Sequence, residues 1–169
     1  YETPEKVVPK AASFAAGISI VYITLTIIWS LMLWGAGMPI FDSIAHSMTT
    51  LATGGYSTKS SSLAAFNSSY IELIVIFGMI VGSLPFVHYL SITKNGWKNL
   101  INDDQVKLFL SIVFFVVLII SIYLTSKNIP YMEALRMASF NVVSIITGTG
   151  FGTSDFNNWG GFSTTILLI

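Results

Sequence analysis

The feature that most constrains this chain is a run of residues, 11–41, without a single charged side chain. A helix of roughly 20 apolar residues crosses about 30 Å of hydrocarbon, so a first membrane span is expected at about 13–36. Two further uncharged runs, 73–93 and 108–126, come near the same requirement. Composition agrees. With 53% hydrophobic and 9% charged residues, the 169-residue chain has too few charges to cover the surface of a soluble domain. The expected fold class is therefore all-α and integral to a membrane.

Eight Lys+Arg balance eight Asp+Glu, which leaves no basic face for nucleic acid. The absence of Cys removes disulfides, thiolate metal sites and cysteine nucleophiles, and two His cannot by themselves build a zinc site. There is no HExxH, GxSxG or Walker loop and no pair of carboxylates on one helix face, so an enzyme is not expected. Lys6, Lys10, Lys94, Lys98 and Lys107 lie on one side of the expected spans, against Lys59 and Lys127 on the other. By the positive-inside rule, segment 1–12 and the linker 92–107 are cytoplasmic. Trp34, Tyr70 and Trp159 then fall at the outer interface and Trp97 near the inner one. The closing apolar segment 162–169 stops too soon to cross, as expected of a piece of a longer protein.

Two segments between the spans are too apolar for ordinary external loops and too short or broken for spans. Each opens with Pro-x-x-acid, Pro39 to Asp42 and Pro130 to Glu133, a helix start with the proline at the first helical position. Each runs apolar for a few turns, giving half-helices at 40–51 and 131–146. Each ends in Thr/Gly loops, 52–58 and 147–153, carrying Gly55-Tyr56-Ser57-Thr58 and Gly150-Phe151-Gly152-Thr153. The glycines Gly55 and Gly150 are 95 positions apart and the prolines 91, a difference of about one helical turn. The chain reads as span, half-helix, loop, span (13–91), then the same unit again, incomplete (108–169). Non-helical backbone at membrane depth survives only when buried in protein or lining a watery path. A row of carbonyls there, at the negative ends of half-helices, favours a dehydrated monovalent cation.

The stretches Phe41-Asp-Ser-Ile-Ala-His-Ser47, Ala52-Thr-Gly-Gly-Tyr-Ser-Thr58, Phe140-Asn-Val-Val-Ser144 and Thr149-Gly-Phe-Gly-Thr-Ser-Asp-Phe156 resemble the membrane subunit of Trk/Ktr potassium uptake systems, TrkH branch. The likeness covers nearly the whole chain. It implies four membrane-helix, pore-helix, filter-loop, membrane-helix repeats, as in potassium channels, of which this chain would hold the second and most of the third. The filter carbonyls would come from Thr53, Gly54, Gly55 and Tyr56, and from Gly148, Thr149, Gly150 and Phe151. Relatives more often carry Thr or Ser at the positions of Gly148 and Gly152. The resemblance further implies K+ as the transported ion with no bound cofactor, a homodimer of membrane subunits in the cell's inner membrane, and a cytoplasmic nucleotide-binding regulatory ring. Two filter strands of four cannot enclose a pore, so this segment alone is not expected to conduct.

Two other readings stay open: a sodium-permeable or poorly selective pathway of the same architecture, and a polytopic subunit whose half-helices are structural. For individual residues, His46 reads as a neutral hydrogen-bonded packing residue rather than an ion ligand, with Asn141 aligned to it. His88 reads as interfacial. Arg136, a charge at membrane depth, needs a partner, with Glu133 and Asp155 as candidates. Lys59 and Asp155 read as loop charges in water. Tyr56 and Phe151 read as interface anchors or as packing behind the loops. Gly78, Gly82 and Pro85 offer close packing, a bend or a hinge.

Overall fold

The structure is a computed structural model that describes residues 4–153, 159 and 160. Asp155 and the closing segment 162–169 lie outside the described residues. Among the described residues there is no strand. The helices are α1 Pro4–Gly35, α2 Ile40–Leu51, a 3-10 turn Ser62–Phe66, α3 Ser69–Ser83, α4 Phe86–Asn95, α5 Lys98–Asn102, α6 Asp104–Ser126 and α7 Tyr131–Ile146. α1 and α6, at 32 and 23 residues, are long and apolar enough to cross a membrane.

Local chemistry accounts for the helix ends. Pro39 and Pro130 stand at the N-caps rather than at the first helical position. Their ψ angles of 144° and 136° are still extended while their carbonyls accept from Ser43 N at 2.8 Å and Ala134 N at 2.9 Å. α6 starts at Asp104, ahead of the expected 108. The Asp103 carboxylate accepts from the N–H groups of Gln105 at 2.8 Å and Val106 at 3.1 Å, satisfying donors that a helix start leaves orphaned. The Val106 N–H is the chief cause that lowers the Asp103 carboxyl pKa from its ordinary value. His88 Nε2 also meets Asp103 Oδ2 at 2.9 Å, which ties α4 to the start of α6.

The apolar run 73–93 does not form one unbroken helix. It breaks at Leu84 and Pro85, because proline forces the residue before it to be extended (Leu84 φ −73°, ψ 149°) and has no N–H to continue the helix. The lost bond would have ended on the carbonyl of Val81, four residues back. The Tyr89 hydroxyl donates to that oxygen at 2.7 Å, beside a long bond of 3.4 Å from Leu84 N.

α1 packs on α2 and α6 on α7, the same pairing in both halves, and α3 joins the halves by touching both α2 and α7. One apolar cluster, including Leu33, Val75, Met79, Phe140 and Phe151, lies at that junction. A second, with Ile120, Leu124, Ala138 and Val142, lies between α6 and α7. Trp159, expected at the outer interface, is buried in the second cluster with Ile120 and Leu124. Trp34, Tyr70 and Trp97 are exposed.

Burial on α2 is inverted relative to a helix in water. Asp42, Ser43, His46, Ser47 and Thr50 are buried, while Ile40, Phe41, Ile44 and Met48 are exposed. On α6, Leu108, Phe114, Phe115 and Ile122 are exposed. An outer face of this kind suits an apolar solvent, in which polar groups must find partners inside the protein.

Gly78 and Gly82 serve close packing. A Cβ at Gly78 would run into the Trp29 indole and lie 2.7 Å from Thr50 Cγ2; one at Gly82 would lie 2.6 Å from the Leu51 carbonyl oxygen. Replacing Gly82 by Ala gains about 1 kcal/mol of helix propensity. It also drives a methyl into backbone, and overpacking of that kind costs about 1–3 kcal/mol. Gly82→Ala should therefore lower the melting temperature in detergent, whereas Gly35→Ala, with no atom within 4 Å of the new methyl, should not. Equal melting temperatures for the two variants would contradict the close approach of α2 to α3.

Candidate functional site

α2 and α7 each end in a turn from which the chain continues without regular structure, through 52–58 and 147–153. The two segments adopt matching conformations. Thr53 (φ +49°) and Gly148 (φ +71°) are 95 residues apart and both left-handed, as are Gly55 (φ +65°) and Gly150 (φ +81°). A left-handed conformation costs a side-chain-bearing residue about 1–2 kcal/mol and glycine almost nothing. Gly148 thus relieves in the second segment a strain that Thr53 carries in the first.

The helix ends are wired alike. Thr49 Oγ1 donates to the carbonyl of Tyr56 at 2.9 Å, and Ser144 Oγ to the carbonyl of Phe151 at 2.7 Å, donors and acceptors again 95 apart. Backbone N–H groups close the turns, from Gly54 to Thr49 O at 2.7 Å and from Gly150 to Ser144 O at 3.1 Å. The second bond spans one more residue than the first. Thr149 is buried, and its hydroxyl shares a 2.7 Å hydrogen bond with that of Thr147.

The two segments meet backbone to backbone. A Cβ on Gly55 would strike the carbonyl oxygen of Thr149 and would lie 2.9 Å from its carbon and 3.2 Å from that of Gly150. Gly55, Thr149 and Gly150 are therefore brought together, with Thr53, Gly54 and Gly148 beside them in the chain. The aromatics part company. Phe151 is buried against His46, their rings 6.0 Å apart and inclined at 30°, whereas Tyr56 is 79% exposed.

Side chains behind the segments hold them. Asp42 Oδ1 accepts from Thr58 Oγ1 at 2.6 Å, and Asp42 Oδ2 pairs with Lys59 Nζ at 3.1 Å. Lys59 is thus an ion-pair partner rather than only a loop charge in water, because the buried carboxylate at the start of α2 lies within its reach. Both nitrogens of the buried His46 are hydrogen-bonded, Nδ1 to Asp42 O at 2.8 Å and Nε2 to Ser57 Oγ at 2.9 Å. Asn141 Nδ2, at the aligned position, donates to Met137 O at 2.9 Å. Gly152 N donates to Ser62 Oγ of the first half at 3.3 Å.

Arg136 does not pair with Glu133. Its Nη1 lies 2.8 and 2.9 Å from the two carboxylate oxygens of Glu72 on α3, while Glu133 stays exposed in the first turn of α7. Reading the span as starting at residue 73 left Glu72 outside it. The signal was the serine just before the helix: Ser68 is the N-cap of α3, which places Glu72 in the helix's first turn, where a carboxylate is favoured.

A family model described as TrkH, cation transport protein, matches residues 4–169. The chain belongs to the TrkH family. Among its relatives, the Trk system potassium uptake protein TrkH of Escherichia coli K12 is 35% identical over 167 residues, 96% of this chain and 34% of that protein. TrkH of Salmonella typhimurium is 34% identical over 166 residues, again 96% of this chain and 34% of the relative. Trk system potassium uptake protein TrkI of Halomonas elongata is 31% identical over 158 residues, 92% of this chain and 32% of its own length. The chain thus spans about a third of the length of these relatives. The crystal structure of the potassium transporter TrkH from Vibrio parahaemolyticus superposes with a TM-score of 0.87 at 30% identity, covering 99% of this chain and 36% of that one. The resemblance read from the loop motifs holds, and the all-helical fold is that of TrkH. The family is one of membrane transport proteins, not enzymes.

In this TrkH segment the pair Glu72–Arg136 joins the two halves, and the Glu72 side chain is 8% exposed. Removing the arginine strands a buried carboxylate, which typically costs about 3–5 kcal/mol. Arg136→Met should therefore reduce the amount of folded protein in the membrane, and the double variant Glu72→Gln/Arg136→Met should recover part of it. Size-exclusion chromatography in detergent reads both. No recovery in the double variant would mean that the ion pair is not what Arg136 contributes.

Proposed function

We propose that the full-length protein takes up potassium through a filter of backbone carbonyls built by four repeats, two of whose strands are 52–58 and 147–153 here. The observation that carries this reading is the pairing of the two loops. They share left-handed positions 95 residues apart, each follows the C-terminal end of a half-helix, and they touch at Gly55 and Thr149. Alternating left-handed residues turn successive carbonyls toward one side, where they can replace the water shell of a monovalent cation. The filter carbonyls are assigned to Thr53, Gly54, Gly55 and Tyr56, and to Gly148, Thr149, Gly150 and Phe151. Half-helix dipoles add negative potential at the same point.

Potassium rather than sodium is supported by the relatives, which are named potassium uptake proteins. The donors in this reading are backbone carbonyls, suited to a weakly held monovalent ion. No bond is made or broken. In this reading the lysine distribution sets the N-terminal segment and residues 92–107 on the cytoplasmic side of the inner membrane. A homodimer with a cytoplasmic nucleotide-binding ring is the assembly that the family likeness suggests.

The test is K+ and Rb+ uptake, with Na+ as competitor, by the full-length protein in cells that lack their own potassium uptake. Wild type should restore growth at low K+. Gly55→Ser, at matched membrane expression, should lower the K+ over Na+ preference by about tenfold, a change that needs only about 1.4 kcal/mol. A wild type that prefers neither ion would point to a poorly selective pathway. Equal flux and preference in both proteins would point to a structural role for the half-helices.

A further inference from the structure

Behind the carbonyl row, the His46 side chain touches both loops, at Ser57 and at Phe151. We propose that His46 is a positioning residue for ion selection, a crosspiece that couples the exit of the first filter strand to the aromatic backing of the second. This rests on the carbonyl-filter reading and deepens it, because it assigns selectivity to a group that contacts no ion.

His46 sits mid-way along α2 and is wholly buried. Its Nδ1 faces the carbonyl of Asp42 one turn back, at 2.8 Å, and a carbonyl can only accept, so Nδ1 carries the hydrogen. That bond fixes the ring plane. Nε2 is thereby aimed at the hydroxyl of Ser57, 2.9 Å away and next in the chain after the filter residue Tyr56. Ser57 Oγ in turn accepts from the N–H of Lys59 at 3.1 Å, which holds the loop's return path. The face of the same ring stacks on Phe151, whose carbonyl is held by Ser144, and Phe66 meets it edge-on at 5.3 Å. A sideways shift of one strand is therefore transmitted to the other through a rigid, fully packed ring.

The second half is built differently at the same place. Asn141 occupies the aligned position and keeps a one-turn bond, to Met137 O, while Gly152, aligned with Ser57, offers no hydroxyl. The fold thus tolerates an amide here, and what histidine adds is reach. An asparagine at 46 can keep the bond to Asp42 O but cannot extend to Ser57 or present a ring to Phe151.

The full-length protein should therefore be compared as wild type, His46→Asn, Ser57→Ala and the double variant, at matched membrane expression, by Rb+ uptake with Na+ as competitor. The expected result is a loss of about threefold or more in Rb+ over Na+ preference in each single variant. The double variant should lose no more than His46→Asn alone, because both changes cut one connection. If His46→Asn fails to assemble, Ser57→Ala breaks the same bond from the loop side and decides the question. Unchanged preference in Ser57→Ala, or losses that simply multiply in the double variant, overturns the coupling while leaving the filter reading intact. A wild type with no Rb+ over Na+ preference overturns both.

Discussion

A chain that leaves helical geometry among apolar groups must supply its own hydrogen-bond partners, and most of this architecture follows from that demand. Asp42, Ser43, His46, Ser47 and Thr50 of α2 and Asn141 and Ser144 of α7 turn inward. Thr49 and Ser144 reach the carbonyls of Tyr56 and Phe151, and Asp42 and His46 hold Thr58 and Ser57. Ile40, Phe41, Ile44 and Met48 of α2 are left to face outward. An unmatched buried polar group costs a few kcal/mol, so these donors and the irregular loops stand or fall together. The same rule acts at Pro85, where the carbonyl that loses its helical partner is met by the Tyr89 hydroxyl.

The loops also have to approach one another, and backbone contact requires that side chains be absent at the meeting point. Gly55 meets that need against Thr149, while Gly78 and Gly82 do the same one layer away, bringing α3 against the end of α2. α3 in turn carries Glu72 across to Arg136 on α7. The first half of the segment therefore braces the second through the Gly55 contact, the Glu72–Arg136 ion pair, the hydrogen bond from Gly152 N to Ser62 Oγ and the stack of His46 on Phe151, among other packing.

What could be read from the sequence divides along the range of the interactions. Helices at Ile40–Leu51 and Tyr131–Ile146 are announced by local chemistry, with Pro and an acid at the start and Thr/Gly at the end. The equivalence of Gly55 and Gly150 was visible in their spacing, and their φ angles agree with it. Relations across the chain were not visible. The partner of Arg136 lies 64 residues away, and no pattern near the arginine points to it. Tyr56 and Phe151 align, yet Tyr56 is exposed while Phe151 is buried against His46 of α2. Hydropathy records an apolar side chain without saying what faces it, and it does not register a missing N–H. The bend offered at Pro85 came from the proline and not from the hydropathy of the run, and nothing in the sequence showed that Trp159 is buried with the second cluster.

The central claim is that carbonyls of these two loops hold the transported ion. Anomalous diffraction from crystals of the full-length protein grown in Rb+ tests it most directly. The account predicts Rb+ peaks on the axis faced by the carbonyl oxygens of residues 53–56 and 148–151, within coordinating distance of both strands. Ordered Rb+ elsewhere in the protein, with none between these loops, would contradict it.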